Sequence, residues 1–349
     1  MTLIRTILYG ADGVGAELLR LLLQRPDIQV VGVIDPRPQG PADAGELPTP
    51  SGIEVSCDAE SVLRNIDAEV VLHSNHFGLA AAYPEILGAV SAQKHVVSSS
   101  AELVVPGLRF ADIAQKVALR ARESGVWVLT IGSTMAFVTS VLALVSAAAC
   151  QQVRSVRVGR LAAVRPEDVA DVRRAGIGLS PQGFQVAAAS AAVGHTGLRE
   201  AVAALADTLG WPLDDLAETI EPVLAARRIK TDHLVVEKGY VMGIRQAVRG
   251  LMAEHEVVRL ELHTSLGILD PLDEILVDGT PSITLRIPGG VPDESTTAAL
   301  MVNCIPAVLS CEGGGLLSLR DMPIAPYRVP QRRIGSQRPE VSGAWLPGG

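Results

Sequence analysis

Residues 4–35 read IRTILYGADGVGAELLRLLLQRPDIQVVGVID. Arg5–Gly10 is a strand-like run, Val14–Arg25 repeats apolar residues at helical spacing (Val14, Leu18, Leu21, Leu22), and Ile28–Asp35 is a second apolar run. Between the first strand and the helix lies Gly10-Ala11-Asp12-Gly13-Val14-Gly15. Glycines at such a turn let the backbone bend tightly and approach a ligand closely, and the helix N-terminus behind them attracts an anion. Asp35 closes the second strand, where an acidic side chain reaches a ribose hydroxyl. Strand, turn, helix, strand and acid in that order predict a dinucleotide cofactor, NAD or NADP, held by Gly10, Gly13, Val14, Gly15 and Asp35. A free 2′-hydroxyl suits Asp35 and favours NAD, whereas Arg37 is placed to pair with a 2′-phosphate and favours NADP. Asp12 stands where the fingerprint has its middle glycine, so its carboxylate must face away from pyrophosphate or cap the helix.

Downstream the same alternation continues. Apolar runs at 52–57 (GIEVSC), 68–74 (AEVVLHS), 94–100 (KHVVSSS) and 125–132 (GVWVLTIG) are separated by helical candidates at Leu79–Gln93 and Leu108–Ser124. Continuous apolar strands between helices predict an α/β fold: a Rossmann doubly wound parallel sheet covered on both faces. After Cys150 the runs lengthen and alternate apolar with polar residues, as in 153–164, 233–243, 255–267 and 282–290, with one helix-period segment at His195–Leu209. That texture predicts a second, smaller α+β domain. The expected division is 1–150 for the dinucleotide-binding domain and 151–295 for a substrate and dimerisation domain. A C-terminal helix at 296–326 would pack back near the cleft, breaking or kinking at Pro306, and 327–349 would form a Pro/Gly/Arg-rich tail.

Composition narrows the classes further. The 349 residues are 48% hydrophobic, 19% charged and 3% aromatic, with a formal net charge of −8. An acidic, aliphatic chain of this kind predicts no nucleic-acid or anionic-lipid partner. Four cysteines without a paired motif suit neither a disulfide framework nor zinc, so no metal is expected and the protein reads as cytoplasmic. The uncharged stretch Gly125–Val153 is long enough to span a bilayer, but its Thr, Ser and Gly content predicts strand, turn and buried helix instead.

In a doubly wound sheet, ligands collect at the carboxyl ends of the strands. These ends carry Ser74 and Asn75, Ser100 and Glu102, and Gly132 and Thr134, of which Ser74, Asn75, Ser100, Gly132 and Thr134 are expected to contact the cofactor. Glu102 is the one acid among the last two groups. It follows a strand of buried character, so its carboxylate is placed to exchange protons with an amine; the plainer reading is a helix cap or a backbone contact. His195, in Gly194-His195-Thr196-Gly197, is placed to face the interdomain cleft, or else to cap or pack.

Several segments together resemble a known family: VVLHSNH (70–76), HVVSSSAELVVP (95–106), GIGLSPQGF (176–184), GHTGLREA (194–201), LGWPLD (209–214), GIRQAVRG (243–250) and IPGGVPDESTTAALMVNCIP (287–306). The chain is similar over residues 3–325 to the dihydrodipicolinate reductase-like family that includes 2,4-diaminopentanoate dehydrogenase and the native amine dehydrogenases. The resemblance implies a homodimer and NAD(P)-linked interconversion of a small amine with a ketone or aldehyde plus ammonia. Matched onto the family's C-E-E-L-x-x-P segment, Glu102 is the catalytic glutamate, while Ala101 and Ser100 replace the other glutamate and the cysteine. His195 joins it as a catalytic candidate, with Met135, Phe137 and Thr297 lining the substrate pocket. The family's G-x-N-P-G-F pocket segment becomes Gly132-Ser133-Thr134-Met135-Ala136-Phe137, more apolar and fitted to a plain amine or a hydrophobic ketone. Asp12 and the altered Thr134–Ala136 segment keep open a non-catalytic nucleotide-binding regulator, and an ammonia-independent imine or carbonyl reductase is a further alternative.

Overall fold

The computed structural model describes residues 3–11, 13–36, 52–53, 55–74, 78–105, 108–132, 134–318 and 321. Asp12, Arg37, Asn75, Ser133 and the 327–349 tail lie outside the described residues. The first half alternates β1 (Ile4–Tyr9), α1 (Val14–Leu23), β2 (Ile28–Ile34), β3 (Val55–Ser56), α2 (Ala59–Asn65), β4 (Val70–His73), α3 (Leu79–Ser91), β5 (His95–Ser98), a 3₁₀ turn Ala101–Leu103, α4 (Ala111–Ser124) and β6 (Trp127–Thr130). The second half adds α5 (Thr134–Ala136), a π-helical turn Phe137–Leu142, α6 (Ala143–Ala147), β7 (Gln152–Ala163), α7 (Val169–Arg174), α8 (Pro181–Ala189) and α9 (Leu198–Thr208). It ends with β8 (Asp215–Leu224), β9 (Ile229–Lys230), β10 (Val235–Val236), β11 (Val241–Met252), β12 (His255–Ser265), β13 (Leu272–Thr280), β14 (Ile283–Pro288), α10 (Asp293–Ser310) and β15 (Gly315–Ser318).

The first sheet is seven-stranded in the order β15-β6-β5-β4-β1-β2-β3, and its pairings are all parallel. Its central strands are buried on both sides because helices cover both faces. Leu18, Leu19 and Leu22 of α1 join Met301, Val302 and Ile305 of α10 in one apolar layer. Residues of α2, α3 and α4, among them Leu63, Ile86 and Val117, fill the other. This is the expected doubly wound Rossmann arrangement. The second sheet is six-stranded, ordered β14-β13-β7-β12-β11-β8, with β7 and β12 parallel and the other pairs antiparallel. One face packs on α9, α6 and the π turn through Val158, Val258 and Leu262, while Arg157, Arg249 and Glu261 remain exposed. Alternation of buried and exposed residues along β7 reflects that difference.

Three sequence expectations are corrected here. The C-terminal helix expected at 296–326 is α10, Asp293–Ser310, which is unbroken at Pro306, and Gly315–Ser318 beyond it is strand β15, paired with β6. The lost hydrogen bond and ring clash cost about 3 kcal/mol, but Met301, Val302, Ile305 and Val308 are all completely buried, and each such side chain contributes roughly 1.5–3 kcal/mol. The run 233–243 is split between β10 and β11, since Gly239 at φ 82° turns the chain. The helix expected from His195 begins at Leu198, because Gly194 and Gly197 adopt φ 103° and 87° and hold His195 in the preceding turn. The uncharged 125–153 stretch forms β6, a turn and short helices as expected. Among the described residues no helix is long and apolar enough to cross a membrane.

Candidate active site

Strand register brings the motif residues to one edge. Tyr9 pairs with Ile34 and His73, His73 with Ser98, and Ser98 with Thr130. One step further along each strand therefore stand Gly10, Asp35, Ser74, Ser99 and Ile131, all at the carboxyl edge. Gly10 and Gly13 take φ 97° and 46°, a conformation that costs glycine nothing. A Cβ on Gly15 would lie 2.0 Å from the Gly10 carbonyl oxygen and 2.9 Å from Ser74 Oγ. Helix α1 thus starts directly against the turn, with Gly13 at its N-cap and Val14 buried beside it.

This glycine turn fits a dinucleotide: a Cβ would fill the space that lets backbone and ligand approach, and the α1 amides point to where a pyrophosphate would sit. Asp35 is 3% exposed and its amide donates to the Ser56 carbonyl at 2.9 Å, which fixes the end of β2. Ser74 has a different task. Its hydroxyl donates to the Tyr9 and Gly10 carbonyls at 3.2 and 3.1 Å, so it holds the turn.

The turn bearing Glu102 is fixed from below by a buried polar chain. His73 Nε2 lies 2.9 Å from Glu85 and its Nδ1 lies 3.0 Å from Ser98 Oγ, which accepts the Ser100 amide at 3.1 Å. Thr130 Oγ1 donates to the Ser100 carbonyl at 2.8 Å. With both ring nitrogens engaged, His73 serves position, and among the described residues no group of three His, Cys, Asp or Glu side chains is placed to hold a metal ion. Burial, with Glu85 nearby, pushes the Tyr9 phenol well above its ordinary value. Gly132, at φ 68°, packs so closely on Val104 and Ala136 that a Cβ would meet both at 2.8 Å.

Glu102 leaves this turn and reaches the N-terminus of α3, where Oε2 accepts the Leu79 amide at 2.5 Å. Its side chain is 13% exposed, and Oε1 lies 3.7 Å from Arg109 Nη2. The backbone contact and the catalytic candidate are therefore the same side chain. His195 approaches from the other domain: a Cβ on Gly197 would lie 2.6 Å from Ala101 Cβ, so the two turns touch. Gln246 clamps His195 by accepting its amide at 2.7 Å and donating to its carbonyl at 2.9 Å, and Glu218 anchors Gln246 at 2.8 Å. Burial, reinforced by the charges of Arg174 and Arg160, pushes the His195 imidazole down to about 3, so it is neutral at physiological pH.

Thr134 of α5 and Thr297 of α10 meet where the two helices pack. Thr134 Oγ1 donates to the Asp293 carbonyl at 2.7 Å and lies 3.1 Å from Thr297 Oγ1. Met135 is 6% exposed within the second-domain core, where half-buried Phe137 also packs. Arg160 Nη1 lies 3.7 Å from the Met135 thioether, and its Nη2 donates to the Val291 carbonyl at 2.6 Å and pairs with Asp293 at 3.0 Å. Arg109, Glu200 and Gln246 escaped the sequence reading. Glu200, an acid in the first turn of α9 beside the apolar run Ala201–Ala206, was the one visible signal, and it named no partner.

Residues 137–333, more than half of the chain, match the family model for the 2,4-diaminopentanoate dehydrogenase C-terminal domain. The chain belongs to this family. The 2,4-diaminopentanoate dehydrogenase of Acetoanaerobium sticklandii is 25% identical over 358 aligned positions that cover 98% of each chain. Among solved structures, an amine dehydrogenase from Mycobacterium smegmatis superposes with a TM-score of 0.81 at 20% identity, covering 94% of this chain and 98% of that one. Dihydrodipicolinate reductase from Paenisporosarcina sp. TG-14 matches at TM-score 0.52 and 12% identity over 91% and 98% of the two chains. The family resemblance carried by the sequence segments holds, and the structural likenesses establish the shared two-sheet fold.

Proposed function

We propose that the protein is an NAD(P)-dependent amine dehydrogenase that interconverts a small amine with a ketone or aldehyde plus ammonia. The observation that carries this is the placement of Glu102: a shielded carboxylate, held by Leu79, at the carboxyl edge that the glycine turn shares. The family relation to 2,4-diaminopentanoate dehydrogenase supports it.

Gly10, Gly13, Val14, Gly15 and Asp35 hold the dinucleotide, whose nicotinamide accepts or delivers a hydride when bound. An alkylammonium, with a pKa near that of lysine at about 10.4, is protonated at neutral pH. Its nitrogen releases hydride from the adjacent carbon only after losing a proton. Glu102 Oε1 binds the ammonium and takes that proton; after releasing it to solvent, the same carboxylate takes a proton from the water that adds to the iminium and returns it to the nitrogen that leaves as ammonia. In the opposite direction it holds ammonia at the carbonyl and protonates the departing oxygen. Leu79 leaves Glu102 Oε2 engaged, which directs Oε1 to the substrate. Neutral His195 contributes a hydrogen bond, not a proton.

The substrate is a plain amine. Arg160 gives Nη2 to Val291 and Asp293 and lies with Nε 3.7 Å from Asp273, while its Nη1 faces the Met135 thioether, so its charge is already matched by acids of the chain. The exposed face of the second sheet suits a homodimer, and four free cysteines suit a reducing cytoplasm. The proposed organisation keeps 1–150 as the cofactor domain, 151–295 as the substrate domain and 296–326 as the returning C-terminal segment.

Consumption of NADH and NADPH is followed with a ketone panel, with and without high ammonium. Ammonium-dependent oxidation that disappears in Glu102→Gln supports the proposal. Oxidation indifferent to ammonium makes the protein a carbonyl or imine reductase, and cofactor binding without turnover makes it a regulator.

A further inference from the structure

Arg109 faces two carboxylates and is shared unequally. It donates to Glu200 Oε1 from Nε at 2.7 Å and from Nη2 at 2.6 Å, whereas Glu102 Oε1 is 3.7 Å away. Glu200 is 1% exposed, and its Oε2 has no hydrogen-bond partner among the described residues. It occupies the first turn of α9, where the helix amides favour an anion. Arg109 is 41% exposed and reaches the pair from the surface.

We propose that Glu200 is a positioning residue for ammonium capture: by holding Arg109, it keeps that guanidinium off Glu102 and leaves Oε1 open to a cationic nitrogen. The inference rests on the reading of Glu102 given above. Glu102, Arg109 and Glu200 together carry one net negative charge, so an arriving ammonium makes the group neutral. Without Glu200, Arg109 has a single carboxylate within reach and closes on it with two parallel bonds, the preferred geometry of such a pair. Ammonium must then displace a cation. Without Arg109, two carboxylates share the site and attract ammonium more strongly. A mere brace between the domains predicts neither sign.

The test uses the whole enzyme in reductive amination, with ammonium chloride varied against the best ketone of the panel, and then the ketone varied at saturating ammonium. Glu200→Gln, a substitution of equal size, raises the ammonium KM about tenfold or more, the order a competing charge imposes, with the ketone KM within about twofold. Arg109→Gln, at an exposed side chain that tolerates change, lowers the ammonium KM instead. The double variant restores the net charge and returns the ammonium KM to within about threefold of the parent.

Parallel losses in both KM values, shifts of the two single variants in the same direction, or no recovery in the double variant overturn the proposal. Should Glu200→Gln not fold, the sign of the Arg109→Gln effect decides alone. If the parent shows ammonium-dependent turnover that Glu102→Gln abolishes while Glu200→Gln behaves normally, this inference fails and the functional reading stands. If Glu102→Gln keeps its turnover, both fail together.

Discussion

Glu102 Oε2 accepts the Leu79 amide at 2.5 Å across 23 positions of sequence. Gly78, at φ 77°, is the N-cap of α3 and has no side chain to offer, so Glu102 caps the helix from a different strand end. Stability and turnover are therefore joined in one residue and can be separated chemically. Glu102→Gln keeps an acceptor oxygen, while Glu102→Ala removes it and costs about 1–2 kcal/mol more, as lost helix caps do. Urea unfolding of the two variants measures the difference, and both are expected to lack turnover. Equal stability of the two would show that the cap contributes nothing.

At the cofactor turn there is no room for a Cβ on Gly15 beside the Gly10 carbonyl. In Gly15→Ala the new methyl would stand 2.0 Å from that oxygen, so α1 or the turn must shift. Overpacking of this kind costs about 1–3 kcal/mol. Because the displaced atoms are those that face the pyrophosphate, the dissociation constant for NADH should rise at least about tenfold, a loss of about 1.4 kcal/mol. Fluorescence titration of NADH checks this, and parent-like affinity would place the dinucleotide elsewhere.

Much of the first domain was legible because its signals are local. Apolar runs buried on both faces have no polar interruptions to confuse, and Gly10 to Asp35 carries turn, helix and acid within one contiguous stretch. The second sheet was harder. Strands β8 and β13, DLAETIEPVL and LDEILVDGT, mix acids with aliphatics because each residue sees either core or solvent, and neither stood out as a run. Strand β15, GLLS, is too short to declare itself and takes its place only by pairing with β6. At the site, Glu102 could be found from its position after a buried strand. Its partners could not: Arg109 and Glu200 lie 91 positions apart, on different domains. Nothing in either local sequence encodes that meeting.

Asp35 bears on the choice between the two dinucleotides. Its amide is tied to Ser56, and its carboxylate closes β2, where a ribose hydroxyl is bound in folds of this type. Replacing it with serine removes a charge that repels a 2′-phosphate. The ratio of kcat/KM for NADH over NADPH should fall at least about tenfold in Asp35→Ser. An unchanged ratio would mean that another residue sets the preference.

Thr134 was expected to touch the cofactor, yet its proton is committed to the Asp293 carbonyl. Thr134→Val keeps the shape and removes the donor that ties α5 to the Asp293 carbonyl of α10. The variant should lose about 0.5–1.5 kcal/mol of stability, the net contribution of one hydrogen bond. NADH affinity should hold within about twofold, because the lost bond joins α5 to α10 and not to the ligand. Weaker NADH binding without a change in unfolding midpoint would return the hydroxyl to the cofactor.

His195 supplies a pH dependence with a definite sign. Its ordinary value of 6.5 falls to about 3 in the folded protein, through burial first and then the charges of Arg174 and Arg160. Below pH 6.5 the unfolded chain takes up a proton that the folded one refuses, so stability drains away as pH falls from 6.5 toward 3. Above that window the residue contributes no pH dependence. One proton accounts for no more than about 1.4 kcal/mol per pH unit, and partial exposure reduces it. His195→Asn lacks this penalty, so acidification from about pH 7 to about pH 5 should destabilise it less than the parent. Urea midpoints at the two pH values measure the difference. Equal acid sensitivity would mean that the imidazole charges freely in the folded state, and a proton-donating role for His195 would then be open again.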